Sequence, residues 1–235
     1  MLWLLFSCML GYQKEDELTT ISIEQTYSTH HYNIDKPLKS SLKIVSLDEN
    51  NNEVGHGSGN YFKIGGNHFI ISASHLVKDD DILWAHDHDN YIMLLLIHND
   101  VDNDIAILIP YRKLENITPI NYSLNNKKNI LGSSVVYAGF PADINQSVFS
   151  GMVSKVSSKG FSMQGFALPG SSGSVVFDNS GKVMGVVSAV KVGYNGLSPF
   201  PEMYPTLVYV SRLNQYSRKR MKEMMAKWKS SQSEL

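Results

Sequence analysis

The chain has 235 residues, of which 43% are hydrophobic, 18% charged and 10% aromatic. This composition lies in the globular range and excludes collagen-like, low-complexity and wholly disordered proteins. A chain of this length should bury about 70–75% of its unfolded surface, so we expect one compact unit with a substantial core. The single cysteine, Cys8, excludes an internal disulfide and with it the class of disulfide-framework proteins.

The formal net charge is −1, but the charges are unevenly distributed. Residues 1–210 carry 14 basic and 20 acidic side chains, whereas residues 211–235 carry 7 basic and 2 acidic ones. Because the body of the chain is acidic, we expect no electrostatic attraction between it and nucleic acid. The basic C-terminal segment is the candidate for contact with a membrane or a partner.

The chain begins with a mostly apolar segment, residues 1–11, which is too short to span a bilayer. Its length suits a signal peptide, which would place the protein in the periplasm or outside the cell. It lacks the basic start and the cleavage site of such peptides, so a mis-set start codon or a buried segment stay open, and the protein would then be cytoplasmic or virus-associated. Leu5-Phe6-Ser7-Cys8 loosely resembles a lipoprotein processing site, the alternative being that Cys8 is a small apolar residue.

Residues 12–40 are polar and are interpreted as an arm or linker, with Pro37 near its end. Short apolar runs then recur, each bounded by Gly, Asn, Asp or Pro and rich in Val, Ile, Tyr and Phe. Such runs, with no amphipathic helix between them, predict an all-β sandwich or barrel. The twelve predicted strands are 42–47, 60–64, 68–72, 82–85, 91–98, 105–109, 134–138, 148–156, 161–166, 174–177, 183–190 and 206–210.

Residues 213–235 have a different pattern, that of an amphipathic helix. Apolar side chains from Leu213 to Trp228 fall on about half of the circumference of a 3.6-residue helix, and basic side chains occupy most of the other half. The apolar stripe either docks on the β body or forms a binding patch for a membrane, a nucleic acid or a partner.

Three segments together suggest acyl transfer by a serine, which needs a base, a carboxylate to orient it and backbone donors for the oxyanion. His75 follows an apolar strand, Asp104 precedes one, and Ser172 lies in the glycine-flanked segment Gly170-Ser171-Ser172-Gly173. Each segment alone is weak evidence, because histidines, aspartates and Gly-Ser segments are common in turns. Their order, with 29 residues between the first two and 68 between the last two, is more informative.

The order of these residues separates the serine-hydrolase folds. All eight histidines lie between His30 and His98, so no histidine after Ser172 can serve as the base of an α/β-hydrolase. The order His, Asp, Ser on an all-β background is instead the chymotrypsin arrangement.

Six segments in matching order extend the similarity. They are Gly57-Ser58-Gly59, Ser74-His75-Leu76-Val77, Asn103-Asp104-Ile105-Ala106, Ala138-Gly139-Phe140-Pro141, Ser150-Gly151-Met152-Val153-Ser154 and Gly185-Val186-Val187-Ser188-Ala189-Val190. In them, over residues 40–212, the chain resembles the trypsin-like serine endopeptidases, and within them the disulfide-free HtrA-like and glutamyl-endopeptidase-like branch. The resemblance implies a chymotrypsin-like double six-stranded antiparallel β-barrel, with lobes at about 41–120 and 121–212, followed by the C-terminal helix.

The resemblance also implies the roles of the site residues. His75 would be general base and acid, Asp104 its orienter and Ser172 the nucleophile, while the N–H groups of Gly170 and Ser172 would form the oxyanion hole. Ser188 would contact Asp104, and its strand, with Ala189 and Val190, would pair with the substrate backbone. No cofactor or metal is implied, and the expected partner is a polypeptide substrate.

Two positions depart from the animal enzymes. Ser171 stands where those enzymes have an aspartate that pairs with a freed N-terminus, so activation by that ion pair is not expected. Phe166, six residues before Ser172, corresponds to the base of the specificity pocket and offers no carboxylate for Lys or Arg. The glutamate-specific relatives use a pocket histidine that follows the nucleophile, and no histidine follows Ser172, so glutamate specificity is also disfavoured. We therefore expect a small or medium apolar residue at P1, the residue before the scissile bond.

Alternatives remain at this stage. The chain could be a catalytically silent binding module of the same fold, or a carrier for the basic helix. The run His86-Asp87-His88-Asp89, with Asp79-Asp80-Asp81 nearby, could bind a cation but is more typical of an acidic surface loop. His56 is expected at the surface of a turn.

Overall fold

The computed structural model describes residues 33–48, 50, 52–77, 82–87, 90–193 and 202–232. The expectations for residues 1–11 and most of 12–40, including Cys8, lie outside the described residues, as do Asp79-Asp80-Asp81, His88 and Asp89. Within the described ranges, no helix combines the length and the apolar composition needed to cross a membrane.

In these ranges the chain forms thirteen strands and two α-helices. Their bounds are α1 (Asp35–Ser40), β1 (Ser41–Leu47), β2 (Glu53–Ile64), β3 (Asn67–Ser72), β4 (Leu83–Asp87), β5 (Asn90–Asp100), β6 (Ile105–Pro110), β7 (Ile120–Asn121), β8 (Ser134–Gly139), β9 (Ser147–Val156), β10 (Gly160–Gln164), β11 (Val175–Asp178), β12 (Val183–Gly193), β13 (Glu202–Arg212) and α2 (Arg218–Gln232).

The strands form two antiparallel barrels of six strands each. In the first, the order β1-β4-β5-β6-β3-β2 is closed by pairing of β2 with β1, and β7 adds to β2 in parallel. The second barrel is closed in the order β10-β13-β12-β11-β8-β9. This arrangement confirms the expected fold class, a mostly-β double barrel with a C-terminal helix.

Several strands have two apolar faces, because one faces a barrel interior and the other faces the second barrel. In β2, Tyr61 lies in the core of the first barrel while its neighbour Phe62 lies in the layer between the barrels. In β11, Val176 lies inside the second barrel and Val175 lies in the shared layer. Since neighbouring side chains in a strand point to opposite faces, continuous apolar runs are what such strands require.

Strand β2 begins at Glu53, seven residues before the predicted start, because its alternating glycines read as a turn in the sequence. At Gly57 and Gly59 a side chain would meet close neighbours, whereas nothing lies within 4 Å of a Cβ on Gly55. A Cβ on Gly57 would lie 2.3 Å from the side chain of Leu76, the residue after His75. The glycine therefore allows β2 to pack directly on the turn that carries His75.

The C-terminal helix begins at Arg218, later than predicted. Leu213 and Tyr216, expected to be helical, precede it in a turn and are fully buried. Met221 and Met225 of α2 lie with them in the layer between the barrels, while the basic residues of the helix are exposed. The apolar stripe thus docks on the β body, as one of the two sequence interpretations proposed.

A short helix that the sequence did not predict, α1, covers residues assigned to the polar arm. Its Pro37 and Ser40 are buried, and the Ser40 hydroxyl donates a hydrogen bond to the carbonyl of Lys36 at 2.7 Å. Asn60 of β2 donates to Ser40 Oγ at 2.9 Å and accepts from the amide of Val175 at 2.8 Å. Asn60 therefore connects α1 to both barrels.

Candidate active site

His75 lies in a single 3₁₀ turn, Ser74–Leu76, which follows β3 directly. Ala73 is fully buried, and the hydroxyl of Ser74 donates to Oδ1 of Asn99 near the end of β5 at 2.6 Å. The buried and bonded residues that precede His75 therefore fix its backbone, while 46% of its side chain stays exposed. A fixed backbone with an accessible ring is what a base that meets substrate needs.

Asp104 follows the 3₁₀ turn Val101–Asn103 and directly precedes β6. Its backbone is left-handed, with φ 52° and ψ 51°, a conformation that aspartate tolerates better than most residues. The carboxylate accepts a hydrogen bond from the backbone N–H of His75 at 2.9 Å through Oδ1. His75 Nδ1 lies 2.9 Å from Oδ2 and 3.0 Å from Oδ1.

The contact with Asp104 determines which nitrogen of His75 carries the proton. A carboxylate only accepts hydrogen bonds, so Nδ1 must be the protonated nitrogen. In the neutral ring the lone pair is then on Nε2, which is the nitrogen left free to take a proton from another group. The carboxylate of Asp104 thus fixes both the tautomer and the orientation of the His75 ring.

Ser188 completes the surroundings of Asp104. Partial burial by itself would raise the pKa of Asp104, but hydrogen bonds from the ring and backbone of His75 and from the Ser188 hydroxyl hold that pKa below its ordinary value. Ser188 sits at a register shift in β12, between Val187 and Ala189, and its hydroxyl lies 2.9 Å from Ser211 Oγ. The same hydroxyl lies 3.4 Å from the carbonyl of Val186.

The segment Pro169–Gly173, which we call the serine turn, contains Gly170 and Ser172. Gly170 and Gly173 have φ values of +92° and +89°, a region that favours glycine. Gly170 has no room for a side chain either, because a Cβ would lie 2.4 Å from both His56 Nε2 and the carbonyl of Phe140. The two glycines bracket Ser172 in a tight turn that side chains would strain.

Ser58 of β2 joins the serine turn to the first barrel. Its N–H donates to the carbonyl of Ser172 at 2.7 Å and its hydroxyl to the carbonyl of Gly170, also at 2.7 Å. Its own carbonyl accepts from the hydroxyl of Ser72, three residues before His75, at 2.7 Å. The serine turn and the histidine turn are thus both anchored to one buried residue.

Ser171, which replaces the aspartate of the animal enzymes, is buried in the second barrel. Its amide donates to the carbonyl of Leu168 at 2.9 Å and its hydroxyl contacts Tyr137. Tyr137 also donates a hydrogen bond to the carbonyl of Phe166. Hydrogen bonds between neutral groups therefore hold the serine turn, and the ion pair of the animal enzymes is not needed there.

The predicted specificity residues lie around the second barrel. Phe166 is 41% exposed, and its ring centroid lies 5.9 Å from that of Phe149. Ala189 is exposed and pairs with Tyr209, and half-buried Val190 pairs with Val208.

Two residues of the site were missed or misread in the sequence. Gly57-Ser58-Gly59 was recognised as a motif, but nothing in it indicated that Ser58 binds the serine turn. His56 is half-buried in β2 and its Nε2–H donates to the carbonyl of Phe140 at 3.1 Å, so the expectation of a surface residue in a turn was wrong. Both contacts join residues more than 80 positions apart.

Of the acidic segment around His86, the structure describes His86 and Asp87. Asp87 is 3% exposed, and its carboxylate accepts from the amides of Glu115 at 2.8 Å and Asn116 at 3.1 Å. Among the described residues, no three His, Cys, Asp or Glu side chains are grouped so that they could hold a metal.

The model of the trypsin-like peptidase domain matches residues 57–186, which is more than half of the chain. The chain belongs to the trypsin-like peptidase family. The sequence-based resemblance to this family is thereby confirmed.

The HtrA-like branch is supported by relatives of this trypsin-like peptidase domain. A protein described as serine protease HtrA-like from Staphylococcus epidermidis is 25% identical over 195 residues, covering 74% of this chain and 33% of the relative. Its counterpart from Staphylococcus haemolyticus is 24% identical over 193 residues, covering 72% and 30%. The chain thus spans about one third of the length of these relatives.

Solved structures agree on the fold. A serine endoprotease from Yersinia pestis matches with a TM-score of 0.63 and 17% identity, covering 82% of this chain and 65% of the other. A protease from M. tuberculosis in its active form matches with a TM-score of 0.59 and 17% identity, covering 77% and 78%.

Proposed function

We propose that this trypsin-like peptidase is an active serine endopeptidase that works through an acyl-enzyme on Ser172. His75 acts as general base and acid, Asp104 orients it, and the N–H groups of Gly170 and Ser172 receive the oxyanion. The observation that carries the proposal is the His75–Asp104 pair, which is hydrogen-bonded through both ring and backbone. A catalytically silent module has no need for this paired arrangement.

The reaction follows from the proton positions. Ser172 Oγ attacks the scissile carbonyl carbon as its proton passes to His75 Nε2, and the resulting imidazolium is stabilised by Asp104 through Nδ1–H. The tetrahedral intermediate collapses when Nε2–H protonates the leaving amine, which leaves an ester on Ser172. Water, deprotonated by the same nitrogen, then hydrolyses the ester and restores the hydroxyl.

The oxyanion hole is supported by the rigidity of the serine turn. Backbone donors stabilise an oxyanion only if they are held in place before charge develops. Gly173 N–H donates to the carbonyl of Val187 and Val187 N–H to that of Ser174, both at 2.8 Å, while Ser58 binds the carbonyls of Gly170 and Ser172. The turn is therefore fixed from both barrels.

A groove that has Phe140, a neighbour of Gly170, in its lining supports a polypeptide substrate. It has a volume of about 580 Å³ and is lined from one side by α1, β1 and loop 116–118, and from the other by residues 140–146. Phe140, in its wall, has its carbonyl against His56 and Gly170. We place the substrate segment on the leaving-group side in this groove, and the acyl side along Ser188–Val190.

For P1 we propose a small or medium apolar residue. The exposed ring of Phe166 packs on Phe149, which in turn stacks on Tyr137 with 5.1 Å between ring centroids. Tyr137 contacts Ser171, so this aromatic group adjoins the serine turn. It offers an apolar surface and no charge to pair with Lys, Arg, Asp or Glu.

A fluorophosphonate probe tests the proposed nucleophile. It phosphonylates a serine hydroxyl only when a base and an oxyanion hole are assembled around it. We expect one adduct per folded chain, mapped to Ser172 by peptide mass spectrometry, and none after heat denaturation. A folded sample that takes up no probe would favour the catalytically silent module.

Cleavage of a random peptide library tests the P1 proposal. We expect Ala, Val, Leu and Met to be enriched before the cleaved bond, and Lys, Arg, Asp and Glu to be depleted, because Phe166 provides no opposite charge. Enrichment of a charged residue at P1 would contradict the proposal while leaving the nucleophile assignment intact.

A further inference from the structure

Asp100, the last residue of β5, connects the turn of Asp104 to the C-terminal segment. Its carboxylate accepts from the N–H of Asn103 at 3.2 Å and from Asn103 Nδ2 at 3.0 Å. It also accepts from the Tyr216 hydroxyl at 2.6 Å and from Gln215 Nε2 at 2.9 Å. Two donors thus come from the turn before Asp104, and two come from residues more than 110 positions further along the chain.

The donor directions in this cluster are fixed. Tyr216 has one hydroxyl proton, which it donates to the carboxylate, so His98 Nε2, 3.1 Å from the hydroxyl oxygen, must be the donor in that contact. Partial burial would raise the pKa of Asp100, but the bonds from Tyr216 and Asn103 keep it below its ordinary value. The carboxylate is therefore charged and accepts all of these bonds at neutral pH.

The same end of β5 also holds the base. Asn99, next to Asp100, accepts from the hydroxyl of Ser74, and Ser74 precedes His75. The backbone of Asp104 is left-handed, a conformation that persists when surrounding contacts determine it. The turns that contain His75 and Asp104 are therefore both hydrogen-bonded to the end of β5. The C-terminal segment is hydrogen-bonded to the same strand end through Asp100.

We propose that Tyr216 is a positioning residue, which acts through Asp100 to keep Asp104 in register with His75. The inference rests on the proposed function for its catalytic consequence, but the positioning is a property of the fold. Tyr216 is itself well anchored: it is fully buried, and its carbonyl accepts from the Tyr122 hydroxyl at 2.7 Å. A rigid anchor on one side of Asp100 restricts the turn on the other.

The test is Tyr216→Phe in the full chain. The ring still fills its site, so the fold is kept, but Asp100 loses its shortest hydrogen bond. Because small displacements of a base and its orienter are costly, we expect kcat to fall about tenfold with KM within about twofold of wild type. The ring-nitrogen NMR shifts of His75 should move from the Nδ1–H tautomer toward a mixture of both tautomers.

Tyr61→Phe is the matched control. Tyr61 is also fully buried, and its hydroxyl contacts His68 Nδ1 at 2.8 Å, away from Asp100. The Tyr61→Phe protein should be less stable than the wild type, with the same kcat and the same His75 shifts. Gln215→Ala removes the other hydrogen bond that the C-terminal segment donates to Asp100. It should change kcat and the His75 shifts in the same direction as Tyr216→Phe, by a smaller amount.

Two results would overturn the proposal. One is a Tyr216→Phe protein with wild-type kcat and His75 shifts. The other is a fall in kcat with unchanged His75 shifts, which would trace the loss to global stability. If the wild-type chain proves inactive, the proposed function fails, and the His75 shifts of Tyr216→Phe against Tyr61→Phe still decide whether Tyr216 positions the pair.

Discussion

Replacing Ser172 by alanine is expected to lower kcat for peptide hydrolysis by roughly 10⁶-fold, with no loss of folding. The reason is that the proposed acyl-enzyme requires the Ser172 oxygen, and the other hydroxyl of the serine turn, that of Ser171, is buried. The measurement is cleavage of a fluorogenic peptide chosen from the library, with active-site titration of the wild type to count competent sites.

Ser174→Ala is the control for this substitution. Ser174 lies two residues further on, its Oγ is fully buried, and that oxygen has no hydrogen-bond partner among the described residues. Its removal should leave kcat unchanged and raise the free energy of unfolding by about 1 kcal/mol, since an unsatisfied buried hydroxyl is destabilising. Activity that survives Ser172→Ala but not Ser174→Ala would show that the wrong serine was assigned.

Asp104→Asn is expected to lower kcat by about 10⁴-fold with little effect on KM. The backbone N–H of His75 donates to Oδ1, so the asparagine oxygen should take that position and its amide nitrogen should face His75 Nδ1. The ring would then carry its proton on Nε2, where Ser172 needs a base. Asp102→Asn, the same substitution at an exposed carboxylate two residues earlier, should keep full activity.

The same variant should change the stability of the protein in acid. Because the pKa of Asp104 is lower in the folded than in the unfolded chain, the unfolded chain binds more protons, and stability rises with pH in this range. The contribution is present above the ordinary aspartate pKa of about 4 and is lost as pH falls through the lower folded value. The difference in unfolding free energy between wild type and Asp104→Asn, measured by urea denaturation, should therefore shrink below about pH 4. A constant difference would mean that the carboxylate charge is not what the site stabilises.

Much of the fold follows from local pattern. All twelve predicted strands are present, with ends shifted by a few residues in most cases, because alternation and β-branched composition are set residue by residue. The exceptions have clear reasons. Strand β7 is only two residues long and is defined by the pairing of Ile120 with Phe62 of β2. The residues around Ile120 carry no local pattern that predicts this pairing. The start of β2 was hidden by its alternating glycines, of which Gly57 packs against Leu76.

The residues of the candidate site also fall into a group that the sequence predicts and a group that it does not. His75, Asp104 and Ser172 could be selected from the sequence because their order and their flanking residues resemble one family. The residues that hold them could not be selected. Ser58, Asp100 and Tyr216 carry ordinary polar side chains, and their partners Gly170, Asn103 and Asp100 are chosen by how the barrels and the C-terminal segment meet.

By itself, the sequence determined the strand pattern, the amphipathic end and the three residue types in the order of a trypsin-like peptidase. Only the tertiary structure decided that one buried serine holds the serine turn, that His75 carries its proton on Nδ1, and that the C-terminal segment fastens the end of β5. The physical reason is that propensity and periodicity act over a few residues, whereas a hydrogen bond requires two groups about 3 Å apart, whatever their separation along the chain.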